Sequence, residues 1–487
     1  DPYGCTGTDD NANAVIPVFC QSLAVCGDGS ITSPEQCDPP GAPNGDGDFC
    51  DAQCRLIQQP VEGPIPGAIF VADTQNIDYA DVGFVQEEFF LSGTAKSYSN
   101  TNTLGSDGLW DVAEADTAVY KTRIVVYRPQ DPVDFSGTVV VEWFNVSGGL
   151  DAAPDWSSIH TEVFREGHVW VGVSAQFVGI EGGGGGFDLS LKTVDPVRYG
   201  SLSHPGDSFS YDMFSKAAQA VRNPVGIDPL PPGFNIQRMI AIGESQSAAR
   251  LLTYVNALAK DNTLFDAYFI HSRLGGSAEL SQSPQAQIGT PAVVNVRDDL
   301  AAPVLMVQTE TDLILLGSLA DRQADSAGFR LWEIAGTAHN DVYGLLTSNS
   351  DLGNDPSVAD VVEVTEPVPG IITCNLPINS GPQHWVLKAG LHGLIDWVDT
   401  GVPMPTANRL QVSGGAFDLD ALGNVLGGIR TPYLDVPVAV LSGLGQTGTS
   451  FCVIFGTTSL FDNATLQSLY LDNLDYVSQV SCPRTPR

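Results

Sequence analysis

Basic side chains are scarce in this chain. It carries 22 Lys and Arg against 57 Asp and Glu, a formal net charge of −35 over 487 residues, and only six of the basic residues are lysines. A surface this negative repels phosphate backbones and anionic headgroups, which argues against nucleic acid or a membrane surface as partner. Long apolar runs are also missing: no stretch approaches the ~18 residues a membrane span needs. The glycine run at 182–186 lacks the G-x-x-x-x-G-K-[ST] order of a phosphate loop, so it reads as a flexible surface loop. The acidic excess reads as solubility in salty surroundings, or as cation binding at acidic loops. What is present in quantity is apolar material, 43% of the chain, enough for a sizeable core.

Cysteine is nearly confined to one end. Six of nine (Cys5, Cys20, Cys26, Cys37, Cys50, Cys54) fall in the first 54 residues. Density of this kind implies disulfides formed in an oxidising compartment. The chain starts at Asp1 with neither a charged n-region nor an apolar h-region, and reads as an exported, extracellular form whose signal segment is gone. Residues 1–57 are rich in Gly, Asp and Pro and poor in aliphatics, so they read as a Cys-rich disulfide knot. Its six cysteines allow 15 pairings. Asp38, Asn44, Asp46 and Asp48 read as turn residues first, and as oxygen ligands for a structural Ca²⁺ second, because the EF-hand spacing is missing. A Pro-rich linker is expected at 58–67, and a catalytic domain with cap or loop insertions over 68–487.

Beyond the linker the pattern alternates between strand and helix. Strands are predicted at 84–98, 122–129, 137–144, 168–176, 238–245, 265–272, 303–310 and 329–336. Helices are predicted at 157–167, 210–223, 247–261 and 383–401. Several of the strands are continuous Val/Ile/Leu/Trp runs, as expected where both faces are buried. The fold class is therefore α/β, with a largely parallel central sheet flanked by helices.

The segment MIAIGESQSA (239–248) carries the chemistry. An apolar strand enters Gly243-Glu244-Ser245-Gln246-Ser247 and a helix follows, the setting of a nucleophile elbow. The turn projects Ser245 above the sheet and leaves the Gln246 amide where an oxyanion would form. Ser247 stands where a final glycine is usual. The bland alternative is a serine that merely caps a helix. A serine nucleophile needs a base and an orienting acid, in the chain order Ser, Asp or Glu, His. Asp312 follows the strand of APVLMVQTETD (302–312), and His339 follows that of LWEIAGTAHND (331–341). Glu310 is an alternative acid, less favoured because it lies on the strand rather than beyond it. His384 is a rival base that otherwise reads as a packed or capping residue, and His271 precedes the acid and reads as core or pocket-lining. The second oxyanion donor is sought in 145–149, with Ser147 and Gly148 favoured. Trp156, Gln176, Phe177 and His384 are candidates for the substrate pocket, with ordinary packing as the alternative.

Two stretches resemble known families. CGDGSITSPEQCDPPGAPNGDGDFCDAQC (26–54) resembles the Cys-rich repeat of secreted proteins from myxobacteria and their relatives. Residues 68–481 resemble a bacterial secreted α/β-hydrolase-domain family of serine esterases. The matching pieces are EEFFLSGTA, VVVEWFNVSGG, GVSAQFVGI, GESQSAARL, VQTETDL, AGTAHND, LGGIRTPYLDVPVA and FGTTSLFD. The resemblance implies an α/β-hydrolase fold and a Ser–Asp–His hydrolase with Ser245, Asp312 and His339 in those roles. Cleavage of a small-molecule or polymer-linked carboxylic ester, with no cofactor required, is the reading that follows. The alternatives are an acyltransferase or amidase with the same residues, or a non-catalytic surface or binding protein on a hydrolase scaffold. Cys374–Cys452 is the expected bridge of the later cysteines, leaving Cys482 free.

Overall fold

The sheet follows from where the apolar residues run. In the computed structural model, which describes residues 60–481 except 73, 75, 76 and 261, ten strands form one sheet. These are β1 (Pro60–Glu62), β2 (Phe84–Asn100), β3 (Val112–Pro129), β4 (Thr138–Trp143), β5 (Val169–Val173), β6 (Val225–Gly226), β7 (Arg238–Glu244), β8 (Ala267–His271), β9 (Val304–Gln308) and β10 (Phe329–Glu333). Their order is β10-β9-β8-β7-β4-β5-β3-β2-β1-β6. From β5 through β4 and β7 to β10 all neighbours are parallel. β3 pairs antiparallel with both β5 and β2, and β2 antiparallel with β1.

Every residue of β4 and of β5 is buried. Along β4, Val139, Val141 and Trp143 pack on one face, and Val140 on the other. Side chains alternate across a strand, so a run of valines without polar interruption means helices cover both faces. The described helices include α1 (Pro154–Glu166), α2 (Phe177–Glu181), α3 (Leu191–Val194), α4 (Pro196–Tyr199), α5 (Ser210–Arg222), α6 (Gln246–Ala257), α7 (Glu310–Ile314) and α8 (Gln383–Thr400). Those with the largest share of the two apolar layers are α5 and α6 on one face, α1 and α8 on the other. The α/β-hydrolase class expected from sequence is the fold observed.

Polar groups fix the loops at the carboxyl ends of the strands. Glu142 on β4 is buried and accepts from the amides of Asp155 and Trp156 (3.0 and 2.8 Å) at the start of α1, a carboxylate placed on a helix N-terminus. Arg123 on β3 is also buried, 2.9 Å from Glu88 and 3.0 Å from Asp151, which tethers the loop after β4 to the antiparallel half of the sheet. Cys374 and Cys452 form the expected disulfide, joining the insertion after His339 to the C-terminal segment.

Three expectations change. Pro60–Glu62, read as linker, adds a strand to the sheet, because Val61 is buried beside Leu91. β3 begins ten residues before the predicted 122, at Val112, carried by its long pairing with β2 rather than by apolar residues of its own. Trp156 is core, not pocket: it is fully buried among Tyr79, Tyr127, Phe164 and Trp170. The Cys-rich knot, the Ca²⁺ candidates Asp38, Asn44, Asp46 and Asp48, and Cys482 lie outside the described residues.

Candidate active site

β7 ends at Glu244, and α6 starts at Gln246, so one residue makes the turn. That residue, Ser245, has φ 57° and ψ −117°, a left-handed backbone that side chains rarely adopt. Conformations of this kind cost ~1–3 kcal/mol and persist only where the surroundings impose them. Here Ser245 N donates to His271 O (3.0 Å), and Ser245 O accepts from Ala249 N (3.1 Å). Ser247 closes the turn from inside: its hydroxyl donates to Glu244 O (2.8 Å) and accepts from Glu244 N (3.1 Å). The serine in place of the usual final glycine thus has a bonding role as well as a small size. A Cβ on Gly243 would stand 3.1 Å from Ser247 O, a tight contact that glycine avoids.

Above this turn the expected partners converge. Ser245 Oγ lies 2.8 Å from Nε2 of His339, and Nδ1 of His339 lies 2.6 Å from Oδ1 of Asp312. A carboxylate only accepts, so Nδ1 carries the proton, and in the neutral imidazole the Nε2 lone pair faces the hydroxyl. Asp312 is held by a capping box at the start of α7: its Oδ2 accepts from Thr309 N (2.6 Å), and its own amide faces Thr309 Oγ1. Burial raises the Asp312 carboxyl, but His339 and the hydrogen bonds outweigh it and hold it below the usual range. His339 N donates to Thr311 Oγ1 (3.2 Å), which fixes the imidazole loop to α7.

Glu310 does not reach the imidazole. Its carboxylate accepts from Gly336 N (2.6 Å) and Gly443 N (2.8 Å), so it ties two loops together, and burial pushes it up to about 7. His384 stacks flat on Tyr343, with ring centroids 3.6 Å apart, rather than approaching Ser245. His271 is buried with Nδ1 2.8 Å from Asp155, a core histidine whose carbonyl braces the elbow.

A second carboxylate enters the site that the sequence reading had not assigned. Glu244 Oε1 lies 3.2 Å from Nε2 of His339, and Oε2 accepts from Asn145 Nδ2 (3.1 Å). Burial pushes Glu244 up to about 7, against the pull of His339. Burial also works to depress His339, but Glu244 and Asp312 together raise it to about 9. The signal available in the sequence was an acidic residue at the end of an otherwise apolar strand.

The loop after β4 lies beside the elbow. Asn145 Nδ2 also donates to Glu244 O (3.2 Å), and Asn145 Oδ1 accepts from Ser147 N (2.8 Å). That bond removes Ser147 as a free donor. Among the described residues, the amides of Gly148 and Gln246 have no recorded acceptor. The glycine run supports this loop: Phe187 N donates to Gly148 O (2.7 Å) and Leu189 N to Gly149 O (3.0 Å). A Cβ on Gly149 would stand 2.2 Å from Gly185 O, and one on Gly186 2.4 Å from Gly148 O. The two backbones meet with no room for side chains, so glycine is needed for contact and not only for flexibility. Gln176 and Gln246 exchange side-chain hydrogen bonds (2.9 and 2.5 Å), which places Gln176 beside the elbow. Phe177, 39% exposed, is at the start of α2 next to Gln176.

Among the described residues, Glu162, Glu166 and His392 form one group of metal-type ligands, remote in sequence from the elbow, but Arg165 already pairs with both glutamates. No helix among the described residues is long and apolar enough to cross a membrane.

A buried hydroxyl, imidazole and carboxylate in series on a strand–turn–helix elbow belong to one architecture, and a family profile described as "Alpha/beta hydrolase domain" matches residues 57–482. The chain belongs to the alpha/beta hydrolase domain family. Solved structures similar to it include an α/β serine hydrolase without a lid from Xanthomonas campestris (13% identity, 50% of this chain and 86% of that one, TM-score 0.28). A fungal esterase from Rhizomucor miehei matches at 10% identity, 64% and 86% coverage and TM-score 0.27. A glucuronoyl esterase from Solibacter usitatus matches at 8% identity, 57% and 72% coverage and TM-score 0.28. None of the curated proteins matches the chain.

Proposed function

We propose that this alpha/beta hydrolase is an exported serine esterase that cleaves carboxylic esters by two-step acyl transfer. The observation that carries the reading is the series Ser245 Oγ, His339 Nε2 and Asp312 Oδ1 at 2.8 and 2.6 Å on a strained elbow. His339 takes the proton from Ser245 as Oγ attacks the ester carbonyl, and Asp312 keeps the tautomer and offsets the imidazolium charge. The tetrahedral oxyanion is met by the amides of Gln246 and Gly148, both without an acceptor among the described residues. Imidazolium then protonates the departing alcohol, and water activated by His339 releases the acid. The chemistry needs no cofactor. The Cys374–Cys452 disulfide supports export, and the substrate class is a small-molecule or polymer-linked ester.

The test is intact mass after a fluorophosphonate probe, on wild type and on Ser245→Ala, beside turnover of p-nitrophenyl acetate and butyrate. A single adduct lost in the variant together with turnover is the expected result. A folded wild type that takes no adduct and turns over neither ester would defeat the proposal.

A further inference from the structure

α1 and α8 pack against each other on one face of the sheet, and neither carries Ser245, Asp312 or His339. Each helix presents a pair of side chains one turn apart: Glu162 and Glu166 on α1, His392 and Asp396 on α8. One carboxylate oxygen of Glu162, one of Glu166 and a ring nitrogen of His392 all lie within 4.8 Å of one another.

The buried member of this group is short of a partner. Glu162 is 4% exposed, and its Oε1 has no hydrogen-bond partner among the described residues. Buried carboxylate oxygens are ordinarily satisfied. Oε1 faces Nδ1 of His392 at 3.5 Å, while Asp396 Oδ2 stands 3.6 Å from Nε2 on the far side of the ring. Asp396 favours the ring proton at Nε2, which turns the Nδ1 lone pair towards an anion. Such an approach is repulsive unless a cation lies between. The distance fits one: two ligands of a tetrahedral ion bound at ~2.0–2.2 Å stand roughly 3.3–3.6 Å apart, beyond the ~2.7–3.2 Å of an N–H···O bond.

The local charge agrees. Glu166 ends α1, where the negative end of the helix dipole disfavours a carboxylate and favours a cation. Arg165 answers part of this, pairing with Oε2 of Glu162 and with Oε1 of Glu166 (3.2 Å), one oxygen of each. Lys388, one turn back along α8, has its Nζ 3.5 Å from the Tyr343 hydroxyl. Three carboxylates against one guanidinium leave the cluster net negative.

We propose that Glu162, Glu166 and His392 bind one divalent cation of the zinc type, which ties α1 to α8. One imidazole with two carboxylates suits Zn²⁺, with water in the fourth position, whereas Ca²⁺ takes six to eight oxygen ligands. Asp396 is the positioning residue, since a ligating histidine ordinarily gives its other N–H to a carboxylate.

The full chain, stripped of metal under non-reducing conditions, is titrated with Zn²⁺ by calorimetry as wild type, His392→Gln and Asp396→Asn. Wild type should bind one equivalent that His392→Gln lacks, and Asp396→Asn should weaken it about 10–100-fold. Zn²⁺ should also raise the Tm of wild type and leave that of His392→Gln where it was. The same number of equivalents in wild type and His392→Gln, or equal affinity of wild type for Ca²⁺, would overturn the proposal. A second measurement needs no variant. Six of the seven histidines are buried and His392 is 52% exposed, so diethyl pyrocarbonate labelling followed by peptide mass reads this residue. Zn²⁺ should shield His392, and unaltered labelling at saturating Zn²⁺ would also overturn the site.

Discussion

Replacing Glu244 by Gln should move the pH dependence of the enzyme more than its fold. On the proposed mechanism His339 must be neutral to accept the Ser245 proton, so its titration would set the acidic limb of kcat/KM. Glu244 and Asp312 hold that imidazole at about 9, which places the wild-type limb well on the alkaline side of neutrality. At the observed 3.2 Å, a full carboxylate charge favours the imidazolium by roughly 5 kcal/mol at an effective dielectric of ~20. That ceiling corresponds to about 3–4 pH units, and desolvation of the imidazole, which remains in the variant, does not reduce it. Glu244 is itself pushed up to about 7 by burial, so it is ionised across a limb near 9 and acts there with its charge in place. The expected displacement lies between about 1 unit and that ceiling, towards lower pH. The sign follows because a cation loses a neighbouring anion and so releases its proton more readily. The amide oxygen of Gln can still accept from Asn145, which keeps the loop after β4 in place. The assay is kcat/KM for p-nitrophenyl acetate from pH 5 to 10, with near-UV circular dichroism as the control for fold. An acidic limb that stays put or moves upward in a folded Glu244→Gln protein would refute the argument.

Three further outcomes can be measured. Ser245→Gly should be more stable to urea than Ser245→Ala by about 1 kcal/mol, since φ 57° suits glycine and strains alanine, while both lose orders of magnitude in turnover. Gly149→Ala should lower kcat by at least about tenfold with little change in KM, because its Cβ would strike Gly185 O at 2.2 Å and shift the donor loop; kcat equal to wild type would count against Gly148 as an oxyanion donor. Replacing Cys374 and Cys452 together by Ala should cost about 2–4 kcal/mol, read as a lower Tm that reductant also produces in wild type, because the bridge closes a separation of 78 residues.

The parallel half of the fold was legible because burial on both faces leaves continuous apolar runs such as TVVVEW and VWVGV. The first half of β3 was not, since residues 112–118 are largely exposed and their pairing with β2 leaves no apolar period. The convergence of Ser245, Asp312 and His339 could be anticipated from chain order and strand ends. Glu244, Asn145 and the consumption of the Ser147 amide could not, because they depend on which way side chains turn at a sharp bend. Trp156 looked like pocket in a loop-end context, but Glu142 starts α1 two residues earlier and turns the indole into the core.

The loop after β4 is pinned at both ends and along its length. Asn145 and Ala152 exchange backbone hydrogen bonds (3.0 and 2.9 Å), Asp151 is tied to Arg123, and Gly148 and Gly149 are each bonded by the glycine-run segment. Loops that carry function often sit at the low-stability end of a protein and open before it unfolds. This one has been given the cohesion of the sheet. Its hydrogen-bonded amides, at Asn145, Gly149 and Ala152, should exchange with deuterium on the timescale of β4 rather than of a surface turn, with the unbonded Gly148 amide exchanging faster, and on heating, catalysis should be lost together with the fold rather than ahead of it.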